Sequence, residues 1–380
     1  MEFEIAKITT PAEVDHFHKL SFTIHQDNPA WMPPLRGEVE KIFDPQKNNF
    51  FKKGECERYL VYNGKQVVGR FAVMNNPEKD NLLDPPMGGL GFIDFFEEET
   101  IFQTLLDFAR TWHIKRGYKA MRGPINFAEN DTFWGLLVEN YEEPPIYGMY
   151  YHPPYYKKII EETGAVKLDD HLTYAFHFSE DLPERLVRIS ERIKQKPGIE
   201  IRTVDPKNLR RDATYIRQIY NKAWANQSIK EREGEFTELT EETIQQMVSD
   251  LKPILIKEAV PLLFVDDQPA SFIVSVPNLN ELSQKTGGKL QWWNLWRLLF
   301  FKKKVKRLRV LALGTVPEYR NRGLEALGFV EGIRWVREAY PNLELLEGAW
   351  VSEKNWLMRR SLEALGCYRF KTHRTYYWQL

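Results

Sequence analysis

Hydrophobic positions along the chain repeat with two periods, and the switches between the periods mark the elements. "FEIAKIT" and "IEIRTVD", from residues 3 and 199, read as strands. Each leads into a stretch with apolar residues at helical spacing, "PAEVDHFHKLSF" from residue 11 and "RRDATYIRQIYNKAW" from residue 210. Two hairpins follow. "YLVYNGKQVVGRFAV", from residue 59, turns at Asn63-Gly64, and "LLFVDDQPASFIVSV", from residue 262, turns at Asp266-Asp267-Gln268. Next come a further strand, "GLGFIDFF" or "LRVLALGTV", and a long amphipathic helix, "TIFQTLLDFARTWHIKRG" or "GLEALGFVEGIRWVREAY".

The pattern thus occurs twice, in the same order, and the ends of the two halves agree residue by residue. In "YYKKIIEETGAVKLDDHLTYAF", from residue 155, and "WLMRRSLEALGCYRFKTHRTYYW", from residue 356, Gly164, His171, Thr173 and Tyr174 match Gly366, His373, Thr375 and Tyr376 at one constant offset. In both, an amphipathic helix stops at a glycine, which adopts a left-handed C-cap without penalty, and an alternating strand follows. Two matches at nearly equal offset predict a duplicated domain. The expected division is residues 1–178, a connecting helix in the charged, aromatic-poor stretch 179–198, and residues 199–380. The order of elements gives an α/β, mixed α+β class.

Composition narrows the function. At 380 residues the chain is too long for one ordinary core, which agrees with two domains. Lys+Arg and Asp+Glu each number 53, so no charge excess invites nucleic acid. Two cysteines, Cys56 and Cys367, cannot frame a disulfide scaffold and fit a reducing compartment. The start, "MEFEIAKITT", has no basic-then-apolar leader, and no run of about 18 apolar residues predicts a spanning helix. The expectation is a cytoplasmic protein without stable membrane insertion. H-E-x-x-H, paired CxxC, G-x-G-x-x-G and G-x-S-x-G are absent, so metal, dinucleotide and hydrolase chemistry have no sequence support.

Chemistry concentrates in "GTVPEYRNRGLEALGF", residues 314–329. A strand ends, Pro317 fixes the entry of a turn, and a helix starts near Gly323. Helix starts carry free N–H groups and positive dipole ends, which makes them natural phosphate sites. Gly323 permits close approach, and Arg320 and Arg322 add charge suited to phosphate. Two readings follow from the residues: a pyrophosphate cradle, or a strand-to-helix connection with surface arginines.

This stretch resembles the GNAT acyltransferase superfamily, whose pattern V-x-P-x-Y-[RQ]-x-x-G-x-[GA] falls here on Thr315, Pro317, Tyr319, Arg320, Gly323 and Glu325. Asn355 in "WVSEKNWLMRRSLEALG", with Gly366 beyond it, matches the family's asparagine after the next strand. The resemblance covers both halves as fold and about residues 308 to 378 as motifs. It implies two tandem GNAT-like domains, each a mostly antiparallel twisted sheet flanked by helices. It also implies that acetyl-CoA or another acyl-CoA is held by Thr315, Val316, Arg320, Asn321, Arg322, Gly323, Leu324 and Asn355. The implied reaction is direct transfer of the acyl group to an amine of a small molecule or peptide, without a metal. Three positions depart from the pattern: Thr315 for valine, Glu325 for glycine or alanine, and Leu362 where the family often has a tyrosine acid for the leaving thiolate. The rival expectation is a non-catalytic module that binds CoA or another small ligand and has lost turnover. Fem-type aminoacyl transferases also carry tandem copies of this fold, but the balanced charge argues against an aminoacyl-tRNA donor.

The first copy has Glu97, Glu98 and Glu99 where phosphates would need positive charge, which predicts an ordinary acidic helix start. Its distinctive part is the long stretch from about Gly123 to Tyr155, rich in aromatics. With Asn126, Glu129, Asn130, Asp131, Trp134, Tyr147, Tyr150 and Tyr151 it suits an acceptor pocket, among which Asn126, Asn130, Trp134 and Tyr147 are the expected substrate contacts; an aromatic plug is the competing reading. Glu347 and Glu353 flank the strand beside the cofactor, and Glu347 is the candidate general base. His171 and His373 sit at equivalent places, which favours a structural role. Finally, "LQWWNLWRLLFFKKKVKR", residues 290–307, mixes aromatic and basic side chains; it suits an insertion that packs on its domain or makes a homodimer contact better than an interfacial membrane helix.

Overall fold

The computed structural model describes residues 3–127, 132–224, 238–289 and 300–380. Two compact units emerge: Met1–Leu172 with Ser283–Leu290 and Lys371–Leu380, and Thr173–Leu282 with Gln291–Phe370. The first unit therefore takes up two segments from the second half of the sequence, whereas the sequence pattern divides the chain into 1–178, a connecting helix in 179–198 and 199–380.

In the first unit the strand order is β1 (Glu4–Lys7), β2 (Glu55–Asn63), β3 (Gln66–Asn75), β4 (Met87–Phe95), β5 (Ala120–Gly123) and then the end of β13, which spans Tyr368–Gln379. β6 (Leu136–Glu139) also pairs with β13, and β7 runs from Val166 to His177. Neighbours are antiparallel except β4 and β5. The helix Pro11–Ile24 begins at a capping box: Thr10 accepts from the Glu13 amide while the Glu13 carboxylate accepts from the Thr10 amide at 2.8 Å. The helix Glu99–Ile114 buries Phe102, Leu105 and Leu106 in a core with Phe71, Leu90, Tyr156 and Trp378.

The second unit repeats the plan in β8 (Ile199–Thr203), β9 (Pro261–Val265), β10 (Gln268–Pro277), β11 (Arg307–Thr315) and β12 (Leu345–Ser352), ordered β8-β9-β10-β11-β12. Its parallel pair is β11 with β12. The hairpin turn is Asp266-Asp267, both at positive φ, and Gln268 already belongs to β10. The helix Glu184–Lys194 lies within the predicted connecting stretch, and it belongs to this unit. Leu324 and Leu327 of the helix Leu324–Ala339 pack with Ile193 and Leu263. The duplicated glycines Gly164 and Gly366 both adopt left-handed φ, +79° and +87°, after the helices Tyr155–Glu162 and Trp356–Ala364.

Candidate functional site

The second unit opens a fork between its two parallel strands. β11 and β12 pair from Arg307 opposite Leu345 to Val310 opposite Gly348, and no further. The cause sits one residue on. The β10–β11 register runs Val274–Ala312 and then Ser275–Val310, so Leu311 is an extra residue in β11, a β-bulge that bends the strand. Past the bulge β12 diverges, and the apolar run Val310, Leu311, Ala312 and Leu313 is left partly exposed. These partly exposed side chains leave an apolar strip along a central strand of the sheet.

At the closed base of the fork Glu347 is fully buried, and its carboxylate accepts from Arg307 Nη1 at 3.2 Å. Arg309, also buried, donates to the Ala349 carbonyl at 3.2 Å. Glu347 is thus an ion-paired group.

At the open end β11 leads into the turn. Thr315 is buried and its hydroxyl bonds with Ser271 at 2.8 Å. The Val316 amide donates to the Ala270 carbonyl at 2.9 Å. Arg320 is used inside the turn: its guanidinium donates to Thr315 O at 3.3 Å and to Ala223 O at 2.5 Å, clamping the turn to the helix Leu209–Trp224. Asn321 takes φ +60° and, like Arg322, is exposed. The Arg322 guanidinium lies 5.2 Å from the centre of the Tyr319 ring. Leu324 is buried and anchors the helix Leu324–Ala339. That helix starts at Gly323 without a side-chain cap, so its first N–H groups remain open to an anion.

Gly323 also has a packing reason of its own. Its φ is +85°, and a Cβ there would lie 3.1 Å from Ile189 and 3.2 Å from Ile193. The close approach it permits is to the helix Glu184–Lys194. Asn355 caps the helix Trp356–Ala364, accepting from the Met358 amide at 3.1 Å, and Leu362 is buried on that helix.

The first unit has the same fork, but backbone fills it. β4 pairs with β5 only from Met87–Ala120 to Gly89–Arg122, and the β3–β4 register shift with φ +51° at Phe92 marks the matching bulge. The Ile125 amide bonds to Leu90 O at 2.9 Å, and a Cβ at Gly91 would fall 1.8 Å from Ile125 O. The acidic stretch after β4 is an ordinary helix start, with Glu98 as N-cap residue and its carboxylate taking the Thr100 hydroxyl at 2.6 Å.

Three of the substrate residues expected in the long stretch, Asn126, Trp134 and Tyr147, lie among the described residues. Asn126 is buried and donates to Thr132 O at 2.7 Å, holding its own loop. Trp134 is buried, with the Arg122 guanidinium 5.5 Å from the ring centre. Tyr147 reaches Glu38 at 3.5 Å. Asn130, with Glu129 and Asp131, lies outside the described residues, as do residues 290–299 of the aromatic-basic segment. Of that segment, Phe300 is exposed and Phe301 is buried. His171 and His373 are buried and make structural contacts, to the Thr375 hydroxyl at 3.3 Å and to Tyr150 O at 2.9 Å. Tyr150 does line a cavity, together with Arg70, His18 and Phe92, none of which the sequence pattern marks as functional.

Among solved structures the chain is similar to a tandem GNAT protein from the clavulanic acid biosynthesis pathway, with a TM-score of 0.58 at 11% identity over 100% of this chain and 98% of that one. The fold is a tandem GNAT fold. A GCN5-related N-acetyltransferase from Sphaerobacter thermophilus agrees, with a TM-score of 0.53 at 12% identity over 99% of this chain and 95% of that one. In sequence the chain is 28% identical to the bacterial ceramide synthase of Caulobacter vibrioides over 99% of this chain and 97% of that protein. It is 26% identical to the protein YghO of Escherichia coli strain K12, over 93% and 90%. No protein-family model matches. Among the described residues no helix is long and apolar enough to cross a membrane, and no group of side chains could hold a metal ion.

Proposed function

We propose that the second unit binds an acyl-CoA in the β11–β12 fork and transfers its acyl group to an amine. The observation that carries this is the fork itself: a bulge at Leu311, strands that part beyond Val310 and Gly348, and an uncapped helix start beyond Arg322. The apolar run Val310–Leu313 suits the pantetheine arm, and the first-turn N–H groups with Arg322 suit the pyrophosphate. Arg320 and the Gly323–Ile193 contact hold the turn in shape. Because the first unit's fork is filled by Ile125, we assign one acyl-CoA to each chain.

In the reaction the amine nitrogen attacks the thioester carbonyl carbon, the C–N bond forms, and the C–S bond breaks. The amine proton must leave and the CoA thiolate must gain one. Positioning does most of this work. Glu347 remains the carboxylate nearest the fork in sequence register; drawing a proton would mean competing with its Arg307 partner. Leu362 supplies no acid for the thiolate, so we assign its protonation to solvent.

An amine acceptor is supported by the likeness to a protein named bacterial ceramide synthase, since a ceramide is an N-acyl amide of a long-chain amino alcohol. The test is acyl-CoA consumption with a panel of amines that includes long-chain amino alcohols, followed by free thiol release. Thiol release that depends on the amine is the expected result. Buried ion pairing of Glu347 and the apolar Leu362 favour one second reading, a CoA-binding module without turnover; CoA binding with no thiol release from any amine would select it.

A further inference from the structure

The first unit contains a cavity of about 230 Å³ that the acyl-transfer reading does not use. Phe22, Trp31, Pro34, Val39 and Phe92 form its apolar wall, and Lys19, Arg36, Arg70 and Lys289 stand on its polar side with Asp15 and His18.

Two buried donors on this wall have no acceptor among the described residues: the Tyr150 hydroxyl and Arg70 Nε. Neither is loose. Tyr150 packs against Phe133 and Phe92 at ring-centre distances of 4.8 and 5.7 Å, and its carbonyl takes the His373 bond. Arg70 is fixed by the Asp94 carboxylate at 2.5 Å and by Phe17 O at 2.7 Å. Leaving a buried polar group unmatched is costly, so such groups call for an explanation. A guanidinium N–H can only donate. The group that completes this site must therefore accept.

Charge points the same way. The four cations face Asp15, which pairs with Arg36 at 2.7 Å and Lys19 at 2.8 Å, and Asp94 stands behind Arg70. His18 leans neutral, because burial disfavours its charged form more than its Glu40 bond favours it. Positive charge is in excess. Part of the cavity's lining comes from far along the chain. Gly287 and Gly288, both at left-handed φ, come from the later half of the sequence, and Gly288 O accepts from the Arg36 amide at 2.8 Å. A Cβ at Gly288 would lie 3.4 Å from Phe22.

We propose that this cavity binds an amphiphile with an oxyanion head, a carboxylate or a phosphate, whose oxygens accept from Tyr150 and Arg70 while its apolar body lies against Trp31 and Phe92. The site stands independently of acyl transfer in the second unit.

Calorimetric titration of the full chain with decanoate, decyl phosphate and decylamine tests it, alongside Tyr150→Phe and Lys289→Glu variants. At least one oxyanion should bind at one per chain, and at least tenfold more tightly than decylamine. The tighter of the two oxyanions then names the head group. Tyr150→Phe should weaken that binding about fivefold or more without lowering the thermal midpoint, since no bond within the protein is lost. Lys289→Glu should weaken the oxyanion and narrow its preference over the amine. Absence of oxyanion binding, equal or tighter binding of decylamine, or affinity untouched by Tyr150→Phe would each overturn the proposal; the last would place the amphiphile elsewhere, as in the apolar fork.

Discussion

Gly323 shows how one residue can satisfy a motif for a reason the motif does not state. A glycine after two arginines reads as clearance for a phosphate, and its φ of +85° and the neighbouring Ile189 and Ile193 require it independently of any ligand. Gly323→Ala is therefore expected to cost about 1–2 kcal/mol of stability, from the left-handed backbone and the crowding of Ile193, with a smaller loss of CoA affinity than an Arg322→Ala change produces. Urea unfolding beside CoA titration measures both; unchanged stability with abolished binding would restore the clearance reading. The two arginines of the motif likewise divide. Arg320 is bound to Thr315 O and Ala223 O, whereas Arg322 is exposed beside Tyr319 and available to a ligand. Nothing in residue type separates them, because the difference lies in which way each points out of a turn.

The elements were largely legible, since each carries its own period. The helix from Pro11, the hairpin turn at Asp266-Asp267 and the paired glycine caps at Gly164 and Gly366 all depend on local chemistry, and the pattern predicts them, except that Gln268 belongs to β10 and not to the turn. The bulges at Phe92 and Leu311 were not legible. A bulge is a mismatch of register between two strands, and neither strand records it alone. β6 escaped for a related reason: Leu136–Glu139 is four residues inside an aromatic stretch, and its pairing partner, β13, lies more than two hundred positions away. The first-unit cavity was hidden likewise. It joins Arg70 of a hairpin, Phe92 of a bulge, Tyr150 of the long stretch and Gly288 of the later half, and in sequence Tyr150 is one aromatic among many.

For the whole molecule, the duplication has left two copies with different contents. The second has an open fork and an uncapped helix start; the first has a fork closed by Ile125 and a polar interior instead. That interior sets an acid limit. Burial holds His25 and His113 down to about 4 and His152 to about 3, so all three fold as neutral imidazoles. Their folded pKa values lie below the unfolded value of about 6.5, so their contribution is complete above that pH and is lost as pH falls toward 4. Each imidazole costs about 1.4 kcal/mol per pH unit in that window. Urea midpoints at descending pH should fall between pH 6.5 and 4, before carboxylates such as Asp94, held low by Arg70 against its burial, protonate. A midpoint that stays flat across this window would contradict the burial of these rings.

The division of labour between the copies is tested most directly by calorimetric titration of CoA into the full chain and into its Arg322→Ala variant. One CoA per chain, weakened about tenfold by Arg322→Ala, is the predicted result. Two CoA per chain, or affinity indifferent to Arg322, or no binding at all would contradict the assignment of acyl-CoA to the fork of the second unit.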